Sequence, residues 1–207
     1  AAVARTAFSS LLRDAHDYTC MFTDARGREL AQGTLATPGQ SCAMALGIRM
    51  LVQGLSNNKG HGGVTGIALY NNKGDYISRY AMPVGMADIG GGDGYGYDIG
   101  INPAKNVMLT SSFTGWTNYM MDFGKLVKDG EAMKNFGNTM AVWDLKAMKP
   151  SKVFAVPGAP LEVRWSLKEG DNWAIAATAL TSKLWLVKQD ASGQWQAKDV
   201  ATIGDPA

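Results

Sequence analysis

The sequence predicts a mainly β chain: antiparallel sheets of a sandwich, barrel or propeller from about Gly60 onward, preceded by a small α+β segment over residues 1–53. Three observations carry this. Glycine is abundant, at 25 of 207 residues, which suits a turn-rich β protein better than a helix bundle. Beyond Gly63, short apolar runs alternate with a period of two and are spaced regularly between turn residues. Near Gln53 the composition shifts, and residues 54–63 carry loop signals throughout. A linker or chain break is therefore expected over 54–63, with a second unit over 64–207.

Residues 6–13 form a short amphipathic pattern with Ala7, Leu11 and Leu12 on one side, predicting a helix. Residues 18–22 and 28–32 read as strands around an Asp24-Ala25-Arg26-Gly27 turn. Residues 39–51 read as a second helix, with Ala43, Leu46, Ile48, Met50 and Leu51 apolar. Strands over 64–70 and 76–80 are joined by Asn71-Asn72-Lys73-Gly74-Asp75, a hairpin signal. Further strands are predicted over 106–112, 139–145, 152–156, 161–165, 173–180, 183–188 and 195–200. Residues 123–136 interrupt the rhythm and predict a short helix or a surface excursion. The Val142-Trp143-Asp144-Leu145 step, an aromatic–Asp pair ahead of a turn, favours a propeller among the three β architectures.

Hydrophobic residues make up 46% and charged residues 18%, an ordinary globular balance. A net charge of +2, dispersed along the chain, argues against nucleic acid. The absence of an apolar run of about 18 residues argues against a membrane helix. The first residues lack a leader pattern and an initiator Met, so a processed product or fragment is expected. Cys20 and Cys42 lie far from any C-x-x-C spacing, which leaves buried thiols or a disulfide rather than a redox or zinc motif.

Chemistry-bearing residues are sparse. The two histidines are His16 and His61. His61 sits among glycines and reads as a loop residue or a lone metal ligand. Residues 87–98 interleave Asp88, Asp93 and Asp98 with glycines. They suit a tight crossing between strands, a substrate-facing loop using Asp93, Tyr97 and Asp98, or an oxygen cage for a hard cation. The stretch matches neither an EF-hand order nor a phosphate loop. Glu162 and Arg164 are two apart in a strand and share a face, with Leu161, Val163 and Trp165 on the core side. They are the catalytic candidates, able to line a channel and polarise a small substrate, or else an ordinary ion pair. Phe113, Trp116, Tyr119, Met120 and Met121 suit an apolar wall for a thiol, with Trp116 as a substrate contact, or packing between sheets. Ser9, Ser10 and Cys20 lack a His–Asp arrangement for nucleophilic catalysis.

Several motifs resemble one family in order and spacing. They are Gly96-Tyr97-Asp98, Asn102-Pro103, Asn106-Val107-Met108-Leu109-Thr110-Ser111, Val142-Trp143-Asp144-Leu145, Pro160-Leu161-Glu162-Val163-Arg164-Trp165 and Gly193-Gln194-Trp195. Over residues 60–207 the chain resembles the selenium-binding protein/methanethiol oxidase family. The resemblance implies a partial β-propeller with antiparallel blades, and less than half of a family member. It implies a copper-dependent oxidase in the periplasm, turning methanethiol, a small thiol, into formaldehyde, hydrogen sulfide and hydrogen peroxide. His61 would be the metal ligand from this chain. An incomplete ring leaves strand edges unpaired, so association with further chains or missing segments is expected.

Residues 3–52 resemble a different family. Arg5-Thr6-Ala7-Phe8-Ser9, Asp17-Tyr18-Thr19-Cys20 and Phe22-Thr23-Asp24-Ala25-Arg26-Gly27-Arg28-Glu29-Leu30-Ala31-Gln32 are similar to the N-terminal region of hydantoinase B proteins. That family spans subunits of hydantoinases, 5-oxoprolinases and acetone carboxylases. This resemblance implies a cytoplasmic subunit fragment, and the two together imply a fused or composite chain. A non-catalytic propeller scaffold is the third reading.

Overall fold

A computed structural model describes residues 21–23, 29–32, 50–54, 65–70, 75–115, 117–118, 121–168 and 170–204. The chain divides into two compact units, Ala1–Leu51 with Leu69–Ser78, and Val52–Ala68 with Arg79–Ala207.

In the first unit β1 (Met21–Thr23) pairs antiparallel with β2 (Glu29–Gln32), setting Met21 opposite Gln32 and Phe22 opposite Ala31. This is the hairpin expected around residues 24–27. The helix expected over 6–13 and most of that over 39–51 lie outside the described residues. The last two positions of the latter correct the expectation: Met50 and Leu51 open β3 (Met50–Gly54). The run Met-Leu-Val is as good a strand as a helix locally, and sheet pairing overrides the weak helical preference. β3 lies in a three-stranded sheet of order β3-β4-β5 with β4 (Thr65–Tyr70) and β5 (Tyr76–Ala81). Residues 52–54, 65–68 and 79–81 of that sheet belong to the second unit.

The rest of the second unit is two four-stranded antiparallel meanders, each with spatial order equal to chain order. The first comprises β6 (Ile99–Asn102), β7 (Val107–Ser111), β8 (Thr139–Asp144) and β9 (Lys149–Ala155). The second comprises β10 (Pro160–Trp165), β11 (Trp173–Thr178), β12 (Lys183–Gln189) and β13 (Trp195–Thr202). The turn between β6 and β7 follows from its residues. The Asn102 side chain accepts from the Lys105 amide at 3.2 Å, Pro103 sets the first turn, and Asn106 takes the left-handed conformation at φ 55°. β7 and β8 are separated by the expected excursion, which holds α1 (Phe123–Leu126) and α2 (Gly130–Met133). Asp129 caps α2 by accepting from the amides of Glu131 and Ala132, each at 3.0 Å.

Hydrogen-bonded register fixes which side chains share a face. In the first sheet Leu109 lies opposite Val142 on one face, and Met108 opposite Trp143 on the other. All four are at most 1% exposed, so this sheet is buried on both sides. Leu109, Met140 and Val142 meet Val163, Ala174, Ala176 and Val187 of the second sheet in one apolar core, with Trp165, Trp185 and Trp195 packed around it. The sheets stack with β6 and β7 near β10, and β9 near β13. The approach is tight at Gly100, where a Cβ would stand 3.2 Å from Val163 Cγ1 and 3.3 Å from the Trp165 ring. The chain is mainly β, and face-to-face stacking of consecutive meanders is the arrangement of neighbouring propeller blades.

Candidate functional site

Residues 82–98 cross from β5 to β6 and carry four of the residues singled out in sequence, Asp88, Asp93, Tyr97 and Asp98. The crossing folds on itself: Val84 forms an antiparallel bridge with Asp93, and a single 3-10 turn, Ala87–Ile89, lies between them. Its polar side chains then fasten it to the strands beneath. Asp93 Oδ2 accepts from the Asn138 amide at 2.7 Å and from the Thr139 hydroxyl at 2.7 Å. The Tyr95 phenol, two residues on, is pushed above its ordinary pKa by burial and by the nearby Asp93 carboxylate. Tyr97 donates its amide to Ser111 O at 3.0 Å, and its ring meets Phe113 edge-on at 5.1 Å.

Asp98 is the most heavily used residue of the crossing. Its main chain exchanges hydrogen bonds with Ser111, amide to Ser111 Oγ at 3.1 Å and carbonyl from Ser111 N at 3.1 Å. Its carboxylate accepts from the Val163 amide at 2.8 Å and forms a short ion pair with the Arg164 guanidinium. That guanidinium also donates to Val163 O at 2.8 Å. The Asp98 side chain is 14% exposed and that of Arg164 is 38% exposed, so the pair sits at a surface with one partner sheltered.

The structure thus brings together Asp98 and Arg164. It does not join Glu162 to Arg164: the Glu162 side chain is half-buried and makes no hydrogen bond or ion pair among the described residues. The register of β10 against β11 shifts between Pro160 and Val163, the stretch that holds Glu162. Val163 is buried in the core and Trp165 packs against it, as expected. Phe113 and Met121 pack against Leu126, Ala132, Phe136 and Ala159, so for these two residues the apolar set is interior packing. Trp116, Tyr119, Met120, His16, His61, Cys20 and Cys42 lie outside the described residues.

Sequence reasoning missed the partners that lock the crossing: Ser111, Asn138, Thr139 and the Val163 amide. A hydroxyl at a strand end carries no local sign of its partner, and a backbone amide carries none at all. Chemically, the arrangement holds a guanidinium at a sheet edge by a carboxylate anchor, a group suited to an anion or a polarised sulfur. For a metal it offers little. Among the described residues no three His, Cys, Asp or Glu side chains converge, and the carboxylates of Asp93 and Asp98 are taken up as hydrogen-bond acceptors.

Comparison with known proteins adds the family. The sequence model of the family described as 56kDa selenium binding protein (SBP56) matches residues 27–206. That match begins inside the segment that carries the hydantoinase B resemblance. A methanethiol oxidase from a Hyphomicrobium species is 68% identical over 163 residues, covering 79% of this chain and 37% of that protein. A methanethiol oxidase from Ruegeria pomeroyi is 53% identical over 176 residues, covering 82% of this chain and 40% of its own length. The chain therefore spans about two fifths of the length of these curated relatives. The X-ray structure of a hypothetical selenium-binding protein from Sulfolobus tokodaii superposes with a TM-score of 0.55 at 17% identity, over 73% of this chain and 32% of that one. That likeness carries the fold alone.

Proposed function

Because the chain belongs to the 56 kDa selenium-binding protein family, we propose that it is part of a methanethiol oxidase. The observation that carries this is the 68% identity to a methanethiol oxidase over 163 residues. The reaction converts methanethiol, dioxygen and water to formaldehyde, hydrogen sulfide and hydrogen peroxide, and it balances as written. Arg164, held by Asp98, is the group we assign to polarise the thiol sulfur, since a guanidinium stays charged and stabilises developing thiolate. Asp93 and Tyr97 shape the segment that carries Asp98. Glu162, half-buried and without a hydrogen-bond partner among the described residues, is the acid–base candidate, and Trp116 a substrate contact.

Copper is implied by the family resemblance. Copper centres draw on imidazole and thiolate donors, and the described residues do not fit one, since no cluster of three ligating side chains forms among them. His61 is this chain's candidate ligand, and the copper content of the full-length protein with and without His61→Ala tests it. The proposal carries a periplasmic location, which cell fractionation checks.

The decisive experiment uses the full-length parent protein. Consumption of methanethiol with matching release of formaldehyde, hydrogen sulfide and hydrogen peroxide supports the reading. A purified, folded, metal-replete protein that leaves methanethiol untouched overturns it.

A further inference from the structure

The crossing from β5 to β6 also carries a reactive group that the candidate site does not use, the thioether of Met86. Among the described residues Met82, Met108, Met140 and Met148 are buried, at most 7% exposed. Met121 and Met133 are half-buried. Met86 is 38% exposed, and its neighbours from Val84 to Asp88 are exposed with it.

The turn that presents Met86 is tied down by its own backbone. The Met86 carbonyl accepts from the Gly91 amide at 2.7 Å and from the Ile89 amide at 3.2 Å, and the Ala87 amide donates to Gly85 O at 3.1 Å. A Cβ at Gly85 or Gly91 would meet nothing within 4 Å, so open space borders both ends of the turn. The sulfur is therefore offered to solvent without any opening of the fold. Met82, four residues earlier and 3% exposed, reacts with a solute only when the local structure opens.

We propose that Met86 is a modification site for hydrogen peroxide, converted to methionine sulfoxide ahead of the buried methionines. A lone pair on Met86 Sδ attacks one peroxide oxygen. The S–O bond forms as the O–O bond breaks, and the second oxygen leaves as water with both peroxide hydrogens. Sulfur gives up two electrons and the peroxide takes them. A thiol-driven methionine sulfoxide reductase reverses the step. The inference rests on the proposed oxidase reading for the source of the peroxide, which is a product of that reaction. The outcome is local: an apolar side chain beside Val84, itself 50% exposed, becomes polar.

Peptide mass spectrometry of the full-length wild-type protein tests this in two arms. With added hydrogen peroxide and no methanethiol, Met86 is expected to gain one oxygen about tenfold faster than Met82, Met108 or Met140, since these wait on local opening. Methionine sulfoxide reductase with dithiothreitol is expected to remove that oxygen. Oxidation of Met86 no faster than that of Met82 overturns the proposal, as does an added oxygen that the reductase leaves in place. In the second arm methanethiol and dioxygen replace the added peroxide, and catalase is expected to abolish the Met86 oxidation. If the first arm succeeds and the second gives neither peroxide nor sulfoxide, the oxidase reading fails and the modification site stands.

Discussion

The Asp98 carboxylate accepts the amide N–H of Val163 at 2.8 Å and so closes a backbone donor of β10 that no neighbouring strand of its own sheet takes up. The Arg164 side chain completes the closure by donating to Val163 O. An open strand edge is thereby capped from the strand entry of the preceding sheet.

Replacing Asp98 by Ala leaves the sheltered Val163 amide without its acceptor and removes the carboxylate from the Arg164 guanidinium. The cost is expected at about 1–3 kcal/mol, the range for a buried donor left unsatisfied. Urea unfolding of the full-length protein measures it. A double-mutant cycle with Arg164→Met separates the ion pair from the amide bond: Asp98→Ala should still destabilise in the Arg164→Met background, because Val163 N–H remains exposed to the loss.

Gly137 admits no side chain. A Cβ there would fall 1.9 Å from Ser112 O, while the Gly137 amide donates to Phe113 O at 2.7 Å. Gly137→Ala should therefore force the exit of β7 and the entry of β8 apart and cost about 1–3 kcal/mol or more, the usual range for overpacking. Thermal unfolding read by circular dichroism tests this.

Trp143 is 1% exposed and donates its indole N–H to the Thr110 hydroxyl at 2.9 Å. Thr110→Val keeps the shape and removes the acceptor, at an expected cost of about 1–3 kcal/mol. Thr110→Ser, which retains the hydroxyl, should recover part of it. Denaturant titration of both variants decides between loss of the hydrogen bond and loss of packing.

Stability should fall at both ends of the pH scale for identifiable reasons. The Asp144 carboxyl is held below the ordinary 3.8 chiefly by the Ala147 amide, and Asp190 chiefly by the Ser192 hydroxyl. A folded pKa below the unfolded one contributes stability above about 3.8 that is lost as pH falls through the folded value. Tyr95 is raised above 10.0 by burial first and Asp93 second, so its contribution is complete below that pH and lost as pH rises through the folded value. The stability difference between wild type and Asp190→Asn should shrink on acidification. Ultraviolet titration should show the Tyr95 phenol moving down in Asp93→Asn.

Arg164→Met in the full-length protein should depress methanethiol turnover, and Arg164→Lys should restore only part of it, because a lysine cannot keep both the Asp98 pair and the Val163 carbonyl bond. Initial rates of hydrogen peroxide release check this. Activity of Arg164→Met equal to wild type would remove Arg164 from the chemistry.

What the sequence made legible follows from how each feature is encoded. The strands from β7 to β13 were readable because apolar alternation and turn residues are local. β6 was not, being four residues long with Gly100 in its middle, too short to show a period. Met50 and Leu51 read as helix in sequence because an apolar run without alternation suits either state. Asp98 and Arg164 each stand out in sequence, yet their pairing joins positions 66 residues apart, and the register shift between Pro160 and Val163 leaves no local trace.

Each four-stranded meander draws all its strands from one unbroken stretch, β6 to β9 and then β10 to β13, with every strand pairing to the one made just before it. Apart from the excursion between β7 and β8, such wiring keeps the loops that must close short, which favours rapid folding. It also suits vectorial synthesis: the ribosome releases one complete sheet before the next begins, and each finished sheet presents an apolar template on which its successor condenses.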